Sequence, residues 1–207
     1  MITDLVVSFS RTGAGDVVMW LMVLLSVASA AVMIERLIFF TRGRSDPSAL
    51  VIELEQWLQG ESDDDGANVA KGAEGFEARV LRAAIDAAPR GRNAIVEMAE
   101  AAKKAERARY ERGLAFLGTV GNNAPFIGLF GTVLEIVSAL YELGTQSAGN
   151  AGAGAVMATL SAALAATAVG LVVALPAVAA FNYFQRRIKG LTTSADVLIH
   201  TFLSYRA

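Results

Sequence analysis

No cysteine occurs in the 207 residues, which excludes disulfides and thiolate metal sites and leaves the redox compartment unread. A single histidine, His200, cannot supply a metal cluster, and it is read as a surface or packing residue. The Gly-Ala-Gly run at 152–154 lacks the Gly-Lys-Ser/Thr ending of a phosphate loop, which argues against nucleotide binding. Charge is scarce, at 18% of residues, and no nucleophile, base or metal set stands together. No catalytic residue, metal or cofactor is therefore expected. The net charge of −2 says little, because the distribution of charge carries the information.

What the sequence does contain is apolar, at 54%, and concentrated in three blocks. Val17 to Phe40 is uncharged until Glu35 and Arg36, Gly113 to Tyr141 carries only Glu135, and Ala155 to Phe184 carries no charge. About 20 predominantly apolar residues cross roughly 30 Å of hydrocarbon as a helix, so each block is long enough. The fold expected is an all-α membrane protein with three transmembrane helices, the second and third extended into a cytoplasmic helical domain. The first block follows Asp4 and Asp16 rather than a basic segment and runs into Glu35-Arg36, so it reads as a retained helix, not a cleaved signal.

Basic residues flank the blocks on one side. Arg36, Arg42 and Arg44 follow the first, Lys103, Lys104, Arg107, Arg109 and Arg112 precede the second, and Arg186, Arg187 and Lys189 follow the third. The other side has Arg11 alone. Basic loops stay cytoplasmic, which places the N-terminus outside and the C-terminus inside. The expected order is an outer segment 1–16, a span 17–40, a cytoplasmic helical domain 41–112, a span 113–142, an outer hairpin 143–154, a span 155–185 and a cytoplasmic tail 186–207. The cytoplasmic Lys/Arg runs, mixed with acids on helices, fit anionic lipid headgroups rather than nucleic acid.

Within the cytoplasmic domain, Asp46-Pro47 predicts a helix start, with a carboxylate cap and a first-turn proline, and Gly60 a stop. Glu61 to Gly75 reads as a loop, and Phe76 to Ala88 as a helix ended by Pro89. From Arg92 an Ala/Glu/Lys/Arg helix is expected to run unbroken into the second span. The tail from Gly190 reads as a separate short amphipathic helix. The polar segment Gly144 to Gly154 reads as a flexible hairpin.

Polar residues inside the spans are informative because hydrocarbon penalises them. Counted at about 1.5 Å per residue from the outer hairpin, Thr132 lies roughly 15 Å deep and Thr167 roughly 18 Å deep. Asn122 and Asn123 fall near the cytoplasmic boundary. One reading of each threonine is a hydroxyl bonded to its own helix carbonyl a turn back. The other is a polar lining, favoured by the matched depth. Gly118, Gly121, Gly128 and Gly131 in the second span, and Gly170 with many alanines in the third, permit close helix approach. Three helices cannot enclose a pore, so a polar lining implies a homo-oligomer or a partner chain.

The run Asn123-Ala124-Pro125-Phe126-Ile127-Gly128-Leu129-Phe130-Gly131-Thr132-Val133 resembles the second-helix signature of ExbB and TolQ proteins of the MotA/TolQ/ExbB family. Ala163 to Leu171 with Leu175-Pro176-Ala177-Val178 and Asn182 resembles their third helix, and Glu35-Arg36 the end of their first. The resemblance implies a ring of five copies around a dimer of ExbD/TolR-like single-helix partners whose membrane aspartate carries the proton. It also implies that Thr132 and Thr167 line the cavity, that Pro125, Gly128, Gly131, Gly170 and Pro176 serve helix packing, and that proton flow drives relative rotation and force transmission across the periplasm. In one respect the chain departs from the pattern. The glutamate usual five residues before the third-helix threonine is Ala162 here, while Glu135 stands where relatives have glycine.

Glu135 lies about 60° round the helix from Thr132. Three readings of it stand open: a relocated cavity carboxylate, a residue that faces a subunit contact or snorkels outward, or an acid with no role because the partner's aspartate suffices. The competing function is a passive membrane scaffold. The client system, whether TonB-type uptake, Tol-type envelope maintenance or surface motility, is not legible.

Overall fold

A computed structural model describes residues 14–42, 46–60, 73–145 and 151–205. Among these the regular structure is helical: α1 (Ala14–Arg42), α2 (Pro47–Leu58), α3 (Phe76–Ala87), a 3-10 turn (Ala88–Arg90), α4 (Arg92–Tyr110), α5 (Leu114–Thr145) and α6 (Ala151–Tyr205). Three of them, α1, α5 and α6, are long and apolar enough to cross a membrane, as the three blocks predict. The chain divides into two compact units. The first comprises Met1–Ile34 with Leu114–Phe181, the second Glu35–Gly113 with Asn182–Ala207.

In the first unit α5 runs antiparallel to both of its neighbours. Gly118 meets Phe181, Gly121 meets Val178 and Gly128 meets Ala166, so residue numbers fall along α6 as they rise along α5. In the same way Glu135 meets Gly15 and Gly131 meets Val18 on α1. Met22, Val120, Ala124, Val173, Ala174 and Ala177 form the core, with Leu25, Phe116, Ile127 and Val169 packed on it. Large apolar side chains such as Trp20, Leu24, Phe126, Leu164 and Val172 are exposed, the pattern of helices whose outer faces meet lipid or other chains.

The second unit is ordinary core-forming protein. Asp46 caps α2 by accepting from the Ser48 N–H at 3.0 Å, and Gly60 ends the following turn at φ 76°. Of the expected loop, residues 61–72 lie outside the described residues. α3 packs along α4. Phe39, Phe40, Phe76, Tyr110 and Phe184 form an edge-to-face and tilted ring cluster with centroids 4.9–6.0 Å apart. Arg36 is buried there, bonded to Glu35 and to the Arg109 carbonyl at 3.4 Å, with its guanidinium 4.8 Å from the Phe39 ring. Lys103 Nζ reaches Asp196 at 2.6 Å and ties α4 to α6.

Three expectations are corrected. The helix from Arg92 does not continue into the second span. It ends at Tyr110, and Glu111–Gly113 form a turn with Gly113 at φ 76°, a conformation that costs glycine little. Conversely, the tail is not a separate helix, because α6 continues through Gly190 to Tyr205. Helix also reaches into the expected 143–154 hairpin from both sides, to Thr145 and from Ala151, and residues 146–150 lie outside the described residues.

Candidate functional site

The site is built where the backbones of α5 and α6 approach closely. Gly128 and Gly170 face each other there. A Cβ on Gly128 would sit 2.8 Å from the Ala166 carbonyl oxygen and 3.3 Å from Gly170 Cα. One on Gly170 would sit 2.7 Å from the Ala124 carbonyl oxygen. All of these neighbours are backbone atoms, so only glycine allows the approach.

That approach brings two side chains together one turn further along α5. The Thr132 and Thr167 hydroxyl oxygens are 2.5 Å apart. Thr132 Oγ1 also lies 3.0 Å from the Ala163 carbonyl oxygen on α6 and 3.3 Å from the Gly128 carbonyl oxygen on its own helix. A hydroxyl has one proton to donate. When Thr167 donates to Thr132, Thr132 donates its own hydrogen bond to one of these two carbonyls. The matched depth counted from the sequence is thus a direct contact. Thr132 is buried, at 8% exposure, while Thr167 is partly exposed beside it. Both local back-bonding and a cross-helix bond are present at Thr132, and the Ala163 carbonyl was not foreseen. A backbone acceptor leaves no mark on the side-chain pattern.

Glu135 is not part of this pair. Its carboxylate lies against Gly15 at the start of α1, where an added Cβ would clash with it. Among the described residues its Oε2 is buried without a hydrogen-bond partner. Of the packing residues, Gly131 is buried against Val18 of α1. Pro125 is half-buried inside α5, and Pro176, inside α6, is exposed in the single chain. Asn122 and Asn123 are exposed, and Asn123 donates to the Thr119 carbonyl at 2.8 Å. His200 is exposed, in line with its expected surface role. Among the described residues no group of three or more His, Cys, Asp or Glu side chains could hold a metal ion.

The family model described as the MotA/TolQ/ExbB proton channel family matches residues 72–196, which include both threonines and both facing glycines. The chain belongs to this family. It is a multi-pass membrane protein of a channel family, not of an enzyme family. Among its relatives, the biopolymer transport protein ExbB of Neisseria gonorrhoeae is 45% identical over 92 residues, covering 44% of this chain and 41% of the relative. ExbB of Xanthomonas campestris pv. campestris is 41% identical over 95 residues, covering 46% and 37%. A putative ExbB-like protein 2 of Helicobacter pylori is 41% identical over 98 residues, covering 47% and 63%. The match spans about two-fifths of the length of the first two relatives.

Proposed function

We propose that the chain is a ring-forming subunit of a proton-motive-force-driven motor in the bacterial inner membrane, with its N-terminus periplasmic and its C-terminus cytoplasmic. On this reading five copies surround ExbD/TolR-like single-helix partners whose membrane aspartate carries the proton. The second unit is the cytoplasmic domain, and anionic lipids meet its basic residues. Family membership supports the reading, as do the ExbB names of the relatives and the one-sided distribution of Lys and Arg.

The observation that carries the reading is the Thr132–Thr167 pair. It is a hydrogen-bonded polar pair between two spans of a largely apolar bundle, with Thr167 partly open. Repeated round a ring, it would give a hydroxyl-bearing wall able to solvate a proton in transit. Glu135 supplies the chain's own carboxylate on this reading, supported by its unpartnered buried oxygen and working from the α1 side of the bundle. The drive is about 2.3 kcal/mol per charge per 100 mV.

The scaffold reading has one observation in its favour, that the Thr132 hydroxyl is buried and satisfied within the chain. Native mass measurement of the chain co-purified with such a partner tests the proposal. Five copies with the partner retained support it, and a monomer or dimer that does not hold the partner sinks it.

A further inference from the structure

Several cations of the second unit have a carboxylate among the described residues. Lys103 pairs with Asp196 and Glu100, Arg36 with Glu35, and Arg79 and Arg109 with Glu106. Arg186 and Lys189 differ, since among the described residues neither forms an ion pair. They lie three residues apart on α6, hence on one face. Arg107 of α4 joins them across a cleft of about 780 Å³ that is also lined by Asn182, Gln185 and Thr192 and, among the described residues, by no acidic one. Arg107 is partly neutralised by Glu111 at 2.8 Å. Arg186 uses Nε on the Asn182 carbonyl at 3.3 Å, which leaves its terminal nitrogens to the cleft. Thr192 donates to the Ile188 carbonyl at 2.9 Å, and Ile188 itself is buried at the base. The result is a concave surface with about two uncompensated positive charges and side-chain amide donors. A phosphate oxyanion fits such a surface, and a guanidinium binds it through paired N–H groups.

The position along α6 narrows the source. Lys189 is five residues past Phe184, the end of the uncharged run, or about 8 Å along the helix. The polar layer on each face of a bilayer is about 5–8 Å thick by the difference between total and hydrocarbon thickness. We propose that the Arg107–Arg186–Lys189 cleft seats a phosphate group, that of an anionic phospholipid headgroup, with a soluble phosphate as the other source of the same chemistry. This names a site for the lipid partner in the proposed function and rests on its placement of α6 across the bilayer.

The test uses the full chain purified in non-ionic detergent. Native mass spectrometry follows binding of phosphatidylglycerol and phosphatidylcholine, with inorganic phosphate as competitor. Phosphatidylglycerol is expected to bind in preference to phosphatidylcholine. The double variant R186Q/K189Q is expected to bind it roughly 30-fold more weakly, about fivefold for each cation removed. The charge-keeping R186K/K189R, with unchanged thermal melting, is expected to retain most of the binding. Displacement by millimolar inorganic phosphate would assign the phosphate seat to a soluble ligand. Equal binding of the two lipids, or full retention by R186Q/K189Q, would overturn the proposal, as would capture of an acidic peptide with neither lipid nor phosphate bound. The measurement needs no partner and no proton flux, so failure of the ring reading and failure of the cleft are separately visible.

Discussion

Substituting Gly170 by alanine adds one methyl group where α6 meets the backbone of α5. The new Cβ would stand 2.7 Å from the Ala124 carbonyl oxygen and 3.2 Å from Gly128 Cα. A relaxed carbon–oxygen contact needs about 3.3 Å, so α5 and α6 must separate by about 0.6 Å there. Both obstacles are backbone, and no side chain can swing away. A 0.6 Å separation would stretch the Thr132–Thr167 contact from 2.5 Å to about 3.1 Å, at the limit of a hydroxyl hydrogen bond. Overpacking of this kind costs about 1–3 kcal/mol, against which alanine returns up to about 1 kcal/mol of helix propensity. With the full return the net expectation is a loss of up to about 2 kcal/mol, or up to roughly 8 °C in Tm by the scaling of domains of this size.

Gly190 is the internal control, because it lies in the same helix with nothing within 4 Å of an added Cβ. Gly190→Ala is expected to stabilise by up to about 1 kcal/mol. Thermal unfolding followed by helicity in a mild detergent compares the two. If Gly170→Ala raises Tm as Gly190→Ala does, the close approach of α5 and α6 is wrong.

Asp46→Ala removes the cap of α2 and is expected to cost about 1 kcal/mol, read as faster amide exchange confined to Pro47–Leu58; unchanged exchange there would contradict the capping role. Thr132→Val and Thr167→Val are expected each to cost about 0.6 kcal/mol, with a double variant less costly than their sum because they share one bond; additive losses would refute the pairing. Alkaline pH is expected to weaken the second unit. Burial, with Glu106 and Glu77 adding to it, raises the Tyr110 phenol above its ordinary 10.0. Burial would lower Lys103, but its bonds to Asp196 and Glu100 outweigh that and raise it above 10.5. Both groups hold their protons longer when folded, so their stabilisation is full below about pH 10 and is lost as pH rises through the folded values. Unfolding followed against pH should show this loss, smaller in Tyr110→Phe; stability flat from about pH 8 to about pH 11 would contradict it.

The three spans were legible because hydrocarbon demands long apolar runs, and Asp46, Pro47, Gly60 and Pro89 marked helix ends through their own backbone chemistry. The break at Gly113 was not legible. A lone glycine between Arg112 and Leu114 is tolerated inside a helix as often as it ends one, and only its φ of 76° decides. Gly190 shows the reverse, a glycine read as a boundary that α6 passes through unbroken. At the site, equal depth placed Thr132 and Thr167 level. That they touch depends on the facing pair Gly128 and Gly170, whose register across two helices is a tertiary fact. Sixty degrees of helix rotation left Glu135 open to either neighbour, and its carboxylate lies against Gly15 of α1. The cationic cleft escaped notice because Arg107 is far in sequence from Arg186 and Lys189.

The central claim of the proposed function is that the Thr132–Thr167 pair serves proton passage and not packing alone. Proton flux into liposomes holding this chain with a single-helix, aspartate-bearing chain of the proposed partner class tests it most directly, using Thr167→Ala beside the natural sequence. Flux that needs both chains and falls on Thr167→Ala, while the assembly keeps its mass, is the predicted result. Unchanged flux in an intact Thr167→Ala assembly would contradict the account.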